Sequence, residues 1–335
     1  MEMRRLSLDT VDLQTAPTIA VLIPCFNEAA SIASVIADFR EALPGAGIYV
    51  HDNNSSDGTA EIAREAGAIV THEPNQGKGN VVRRMFSDID ADIYILVDGD
   101  GTYDAASAGR LVETLRSGPY DMVNAARRHT ETDAYRPAHV FGNRMLTGTV
   151  GTLFGRKTTD MLSGYKAFSR RFVKTFPALS RNFEIETELM IHALDLRLPI
   201  TEIEAPYGVR TEGSESKLST FRDGFRILRL IGWFLRSEKP MTFFSALATV
   251  FFLLSIGIGV PVIADYFETG LVPRFPTAIL AASIMLLSAL SLFTGFILDT
   301  VTHGRREAKR LAYLAQQPPP AANRSGAPRD TDQSR

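Results

Sequence analysis

Short apolar runs rich in β-branched residues alternate with stretches of helical spacing through the first third of the chain. Thr18–Pro24 is such a run, closed by proline, and Cys25-Phe26-Asn27-Glu28 leads into Ile32, Val35, Ile36 and Phe39, which recur on one helical face. This spacing predicts strand, loop and helix. The unit repeats as a strand over Gly47–Asp52, turn chemistry over Asn53–Gly58, a helix over Thr59–Ala66 and a strand over Ala68–His72. Asn75-Gln76-Gly77-Lys78-Gly79-Asn80 then opens a helix over Val81–Phe86, and the apolar run Ile93–Val97 makes a fourth strand. Tyr120–Ala125 reads as a further strand, and a helix is expected from Arg136 through Phe154. Strands alternating with helices predict an α/β fold with a mostly parallel sheet and right-handed crossovers.

The last third carries a different pattern. Met241–Ala264 and Phe275–Leu298 are uncharged apolar runs, and at roughly 1.5 Å per residue each exceeds the ~30 Å hydrocarbon thickness of a bilayer. They predict a two-helix transmembrane hairpin; a buried core hairpin is the alternative. Arg236 and Lys239 precede the first run and Arg305, Arg306, Lys309 and Arg310 follow the second, so both flanks are expected in the cytoplasm and Asp265–Arg274 outside. Phe221–Trp233 has Arg222, Arg226 and Arg229 at helical spacing beside Phe221, Phe225 and Leu228, as in a helix lying in the membrane interface. From Gln316 the chain is polar and proline-rich and is expected to be disordered. The resulting division is an N-terminal tail (1–17), an α/β domain (18–219), a juxtamembrane helix (220–239), two membrane spans (240–300), and a basic segment with its tail (301–335).

Composition narrows the function classes. A chain of 335 residues with net charge −2 has no general bias toward nucleic acid. Cys25 is the only cysteine, which forbids an intramolecular disulfide and fits a reducing compartment. The N-terminus lacks the apolar core of a signal peptide, so the α/β domain is expected to stay in the cytoplasm of a cell whose inner membrane holds the spans. The six histidines show no zinc-ligand spacing.

The candidate chemistry sits at strand ends. The fourth strand stops on Asp98-Gly99-Asp100, and carboxyl ends of parallel strands are where ligands bind in open α/β sheets. Two oxygen ligands there suit a hard cation such as Mg²⁺ or Mn²⁺, although Asp-Gly-Asp also occurs in solvated turns. Asn27, Glu28 and Asp52 fall on the same sheet edge and can accept hydrogen bonds from a nucleobase or ribose. As alternatives, Glu28 is first-turn helix charge and Asp52–Asp57 an Asx turn. Glu184, Glu186 and Glu188 alternate, so on a helix they point to different faces.

Taken together, Pro24-Cys25-Phe26-Asn27-Glu28, Asp52-Asn53-Asn54-Ser55-Ser56-Asp57-Gly58-Thr59, Asn75-Gln76-Gly77-Lys78-Gly79 and Asp98-Gly99-Asp100 resemble glycosyltransferase family 2 in order and spacing. More narrowly they resemble the polyprenyl-phosphate glycosyltransferases, including the dolichol-phosphate mannosyltransferases. The resemblance implies a GT-A fold, a UDP- or GDP-sugar donor, a polyprenyl phosphate acceptor and an inverting, metal-dependent transfer at the cytoplasmic membrane face. It places Pro24, Asn27, Glu28, Asp52, Asn54 and Lys78 on the donor, Asp98 on ribose or metal, and Asp100 on the metal. Arg127 matches a diphosphate-proximal arginine, while Arg136, Asp160, Ser163, Lys166 and Lys217 fall in the acceptor-side stretches. Relatives often place a glutamine two residues after the second aspartate; this chain has Thr102, so the third protein ligand is open, with Asp104 a candidate. A phosphate acceptor is largely dianionic at neutral pH, its second pKa being about 6, and can act as its own nucleophile. Glu186 and Glu188 are therefore expected to position the acceptor. A processive polysaccharide synthase and a non-catalytic membrane protein retaining the fold are the other readings, and a homo-oligomer stays open.

Overall fold

The computed structural model describes residues 16–129, 158–181, 184–208 and 236–317, with single positions 148, 151 and 232. The N-terminal tail to residue 15, Arg136, Lys217, most of the helices expected over 136–154 and 221–233, and the tail beyond 317 lie outside the described residues.

The first units form as their spacing predicts: β1 (Ile19–Cys25), α1 (Ile32–Ala42), β2 (Gly47–Asp52), α2 (Thr59–Glu65), β3 (Ile69–His72), α3 (Lys78–Asp88), β4 (Ile93–Leu96), α4 (Ala108–Ser117) and β5 (Met122–His129). There follow β6 (Lys166–Ser169), α5 (Arg170–Thr175), α6 (Ile185–Asp195) and β7 (Ile200–Tyr207). One sheet runs in the order β3-β2-β1-β4-β6-β5-β7. Four pairings are parallel, and β6 runs antiparallel between β4 and β5. The sheet is thus mostly parallel, as expected, with one inverted strand. That inversion matters, because the amino end of β6 arrives at the edge where β1, β2, β4 and β5 finish. The segment just before β6 is thereby carried to the same edge.

Strand alternation decides the core. Ala20, Leu22, Tyr94 and Leu96 face α3, α5 and α6, whereas Val21, Ile23, Ile93 and Ile95 face α1 and α4. Both faces of the central strands are buried, which is why they read as unbroken apolar runs.

The C-terminal third is a pair of long helices, α7 (Pro240–Thr269) and α8 (Phe275–Leu314). Both are long and apolar enough to cross a membrane, and most of their surface is unburied. They meet along small residues at heptad spacing: Ala248, Ser255 and Val262 on α7, and Ala281, Ser288, Gly295 and Thr302 on α8. Ser255 Oγ donates to the Ala281 carbonyl at 2.7 Å and Ser288 Oγ to that of Ala248 at 2.8 Å. The second helix does not stop with its apolar run. It continues to Leu314, turning Thr302, Arg306, Lys309 and Tyr313 inward on one face.

Candidate active site

Asp98 and Asp100 stand just past β4, at the sheet edge. Two glycines let the backbone close in on them. A Cβ on Gly99 would sit 2.8 Å from Cys25 Sγ, and one on Gly164, from the segment that β6 brings in, would sit 2.5 Å from the Asp98 carboxylate. Gly164 N–H is held at 2.7 Å by Tyr103 Oη.

Lys78 opens α3 and turns its ammonium between Asp98 and Glu186, bonding to both. Only 9% of its side chain is exposed. Burial alone would pull its pKa down, but the Asp98 and Glu186 carboxylates outweigh burial and hold it well above the ordinary lysine range. Burial pushes the Glu186 carboxyl up, opposed by the Lys78 charge. Glu188, two positions on, points elsewhere and accepts from the Leu179 and Ser180 N–H groups at 2.9 and 2.8 Å. The loop so fixed closes on the start of α3, with Arg181 carbonyl accepting from Gly79 N–H at 3.0 Å. Glu188 therefore shapes the ground beneath Lys78, while Glu186 faces it.

Asp100 is buried, and its Oδ1 accepts from Thr102 Oγ1 at 2.6 Å and Thr102 N–H at 3.2 Å. The threonine that stands where relatives often have glutamine aims the carboxylate. Asp104 instead caps a short turn, accepting from Ala106 N–H and Ser107 Oγ. Among the described residues no group of three or more His, Cys, Asp or Glu is gathered as a metal cage. The donor set fits a cation all the same. Two carboxylates flank the edge, and the Lys78 ammonium already sits against one of them as a positive charge would. A hard cation sharing its remaining positions between a diphosphate and water needs no larger protein set.

The loops expected to meet the donor form a lattice of asparagines. Asn27 and Asn54 adopt left-handed backbone, φ 54° and 66°, a region that asparagine tolerates. Asn27 N–H donates to Ser55 Oγ at 2.9 Å and its Oδ1 accepts from Ser56 N–H at 2.9 Å, tying the β1 loop to the β2 loop. Asn53 ties the β2 loop onward, donating to the Glu73 and Asn75 carbonyls and accepting from Gly77 N–H at 2.7 Å. Asn54 donates to the Pro74 carbonyl at 3.0 Å. Glu28 and Asp52 are buried, Pro24 lies opposite His51 near the end of β1, and Asp52 Oδ1 has no hydrogen-bond partner. A buried carboxylate oxygen without a donor fits a ligand N–H or O–H.

The described residues expected on the acceptor side take two kinds of place. Arg127 forms a bidentate pair with Asp160, Nε to Oδ2 at 2.6 Å and Nη2 to Oδ1 at 2.8 Å. Burial would raise Asp160, but the guanidinium holds its carboxyl below the usual range. Ser163 and Lys166 are wholly buried, the serine donating to the Ala125 carbonyl at 2.6 Å and the lysine to Asn124. Burial pulls the Lys166 ammonium down to about 8 despite Asp160, Glu186 and Glu202 nearby. These two side chains brace the loop from beneath. Asn124 and Glu202, which no sequence motif singles out, complete that brace: Asn124 donates to the Asp160 carbonyl and to Glu202, both at 2.8 Å. Glu202 alternates with Glu204 along β7, and that alternation is the one signal the sequence holds for it.

The glycosyl transferase family 2 model matches residues 20–176. Glycosyltransferase AglJ of Haloferax volcanii is 30% identical over 305 residues, covering 90% of this chain and 100% of the relative. The dolichyl-phosphate hexose transferase of the same organism is 28% identical over 213 residues, covering 64% of this chain and 92% of the relative. Among solved structures, glucosyl-3-phosphoglycerate synthase from Mycobacterium tuberculosis, in complex with Mn²⁺, UDP-glucose and phosphoglyceric acid, aligns with TM-score 0.55 and 25% identity over 66% of this chain and 79% of that one. The sheet is accordingly GT-A-like, with a pair of apolar helices appended. Family motifs at successive strand ends, the matching family model and a relative aligned along its whole length agree: the chain belongs to glycosyl transferase family 2 and resembles its polyprenyl-phosphate branch.

Proposed function

We propose that this glycosyltransferase moves one hexose from a UDP- or GDP-sugar onto a polyprenyl phosphate at the cytoplasmic face of the inner membrane. The observation that carries the reading is the convergence of Asp98 and Glu186, from elements far apart in the chain, on the Lys78 ammonium. With a divalent cation on Asp98 and Asp100 that edge would offset the charge of a diphosphate donor, and the two apolar helices support a lipid-borne acceptor. The kinship with a dolichyl-phosphate hexose transferase points the same way.

In this reading Asp52 Oδ1 and Glu28 accept from the nucleobase, and the asparagine lattice holds the loops that carry them. Asp98 and Asp100 would hold Mg²⁺ or Mn²⁺, which when bound supplies positive charge to the departing diphosphate. Lys78, in contact with Asp98, would add its own charge beside that cation. The acceptor phosphate attacks the anomeric carbon opposite the diphosphate; the new C–O bond forms as the bond to the nucleoside diphosphate breaks, inverting the centre. A dianionic phosphate gives up no proton in this step, so Glu186 orients Lys78 and the acceptor and need not act as a base.

The test is transfer from a panel of labelled nucleotide sugars, UDP-glucose and GDP-mannose first, to undecaprenyl and dolichyl phosphate in membranes bearing the protein. Asp100→Asn should abolish transfer while leaving the fold intact. Full wild-type activity in excess chelator would remove the metal from the reading, and product on a sugar or protein hydroxyl alone would remove the lipid.

A further inference from the structure

Arg306 stands where three elements meet. It lies on α8 beyond the apolar run, and its Nε meets the carboxylate of Asp195, the last residue of α6. Its Nη2 donates at 2.8 Å to the Glu238 carbonyl, just ahead of α7, and neighbouring Arg305 donates to the Ser237 carbonyl at 2.8 Å. The Asp195 side chain is 1% exposed, and its Oδ2 has no hydrogen-bond partner. Farther along the same face of α8, Tyr313 Oη donates to Asp121 Oδ2 at 2.7 Å. Arg171 grips that fully buried aspartate through Nε and, at 2.9 Å, through Nη2, and lies 4.8 Å over the Tyr313 ring. The two fastenings are about 10 Å apart along the helix, so the extension of α8 cannot pivot on either one alone.

A solvated cytoplasmic flank would need none of this. Buried ion pairs are poor sources of net stability and good at fixing one geometry, and a planar guanidinium is the group best suited to hold several partners at once. The helix that Arg306 holds by its end is the one that presents Glu186 to Lys78 and Asp98 at its start. Site and membrane helices are therefore joined through one short rigid element.

We propose that Arg306 is a positioning residue that locks the sheet domain to the apolar helices, setting the height and tilt of the Lys78, Asp98 and Glu186 edge above the bilayer. A polyprenyl phosphate keeps its phosphate at headgroup level, so only a domain held at that level meets it. The inference rests on the polyprenyl-phosphate reading given above.

The experiment uses the full chain in liposomes, with Arg306→Ala and the near-isosteric Asp195→Asn, which leaves the part-exposed Arg306 guanidinium its bond to the Glu238 carbonyl. A fluorophore on Glu65→Cys, an exposed position, reports energy transfer to a dye-labelled lipid, Cys25 being buried. In both variants energy transfer should fall and its distribution broaden. The KM for undecaprenyl phosphate should rise about tenfold, while kcat/KM for water-soluble geranyl phosphate stays within about twofold, since misplacement by an ångström costs a reaction of this kind one to two orders of magnitude. Energy transfer unchanged in both variants, or equal losses with both acceptors, would overturn the lock and leave Arg306 a support of the fold. The expected change in energy transfer with no prenyl phosphate glycosylated, even by the wild type, would support the lock and overturn the acceptor assignment instead.

Discussion

Lys78 and Glu186 lie 108 residues apart in the chain and share a hydrogen bond. The same ammonium is held by Asp98, so one cation joins the first turn of α3, the end of β4 and the first turn of α6. Three elements that enter the sheet by different routes are thus referred to one atom. The arrangement makes a positive charge part of the site itself, held against the carboxylates by the fold.

Removing that charge should expose the carboxylates to each other. Lys78→Met leaves Asp98 and Glu186 facing without an ion partner, and breaking a buried pair in this way costs about 3 kcal/mol or more. Thermal unfolding without added metal should show the loss, and saturating Mn²⁺ should restore part of it, because the carboxylates then have a cation to share. If the variant melts like the wild type and ignores Mn²⁺, Lys78 is a bystander at this edge.

Glu186 and Glu188 should separate by the parameter each controls. Glu186→Gln keeps a hydrogen-bond acceptor for Lys78 and removes a charge, so a modest fall in rate, about tenfold, is expected and not the several orders that follow loss of an obligatory base. Glu188→Gln can no longer accept equally from both the Leu179 and Ser180 N–H groups, and should chiefly lower stability, by about 1 kcal/mol. Single-turnover rates with a saturating prenyl phosphate decide the first; collapse of the chemical step in Glu186→Gln would mean that the acceptor is a hydroxyl.

His192 makes stability depend on pH. It is packed edge-on against Phe172 and Phe176, neither ring nitrogen has a partner, and burial, with Lys309 adding to it, lowers its pKa from 6.5 to about 3. A depressed folded-state value means that the unfolded chain takes up the proton first. The stabilisation is complete above pH 6.5 and is lost as the pH falls from there toward about 3. His192→Leu should flatten the unfolding midpoint across the upper part of that window. A midpoint that falls just as steeply in the variant would assign the acid sensitivity of that range to other groups.

Much of this architecture is legible in the amino-acid sequence. The stretches Ala20–Ile23 and Ile93–Val97 are buried on both faces and announce central strands, and Asp98-Gly99-Asp100 announces the edge. Sequence pattern falls short where a side chain's partner comes from far away. Lys166-Ala167-Phe168-Ser169 is too short and too evenly buried to show alternation, so β6 leaves no signature, and neither does the inversion that brings Gly164 to Asp98. The partners of Ser163 and Lys166, the Ala125 carbonyl and Asn124, lie 38 and 42 residues away and leave no local trace. Arg306 reads as ordinary flanking charge because Asp195 is 111 residues away. The half-buried face Thr302, Arg306, Lys309, Tyr313 does have a helical period, but nothing local distinguishes a period that meets protein from one that meets water.

The helices α7 and α8 pack closely along one face of each. Their seam is built from residues too small to hold the helices apart, and two serine hydroxyls bridge it to backbone carbonyls. In a bilayer the surrounding lipid is as apolar as leucine, so close packing, and not hydrophobic burial, has to bring such helices together. Gly295 is the tightest point: a Cβ there would stand 3.1 Å from Phe244 Cβ and 3.4 Å from Met241 Sδ. Gly295→Leu has no room and should pry the helices apart close to the Thr302 and Arg306 level, where α8 passes from its apolar run to the sheet domain. Leu290→Ala deletes apolar surface, but that side chain is 52% exposed and faces outward. Melting in detergent should therefore fall by several degrees in Gly295→Leu and by little in Leu290→Ala. Ser288→Ala should lie between them, since an interhelical hydrogen bond of this kind is worth about 0.6 kcal/mol. If Leu290→Ala proves the more damaging, outward-facing bulk and not the small-residue seam holds the hairpin.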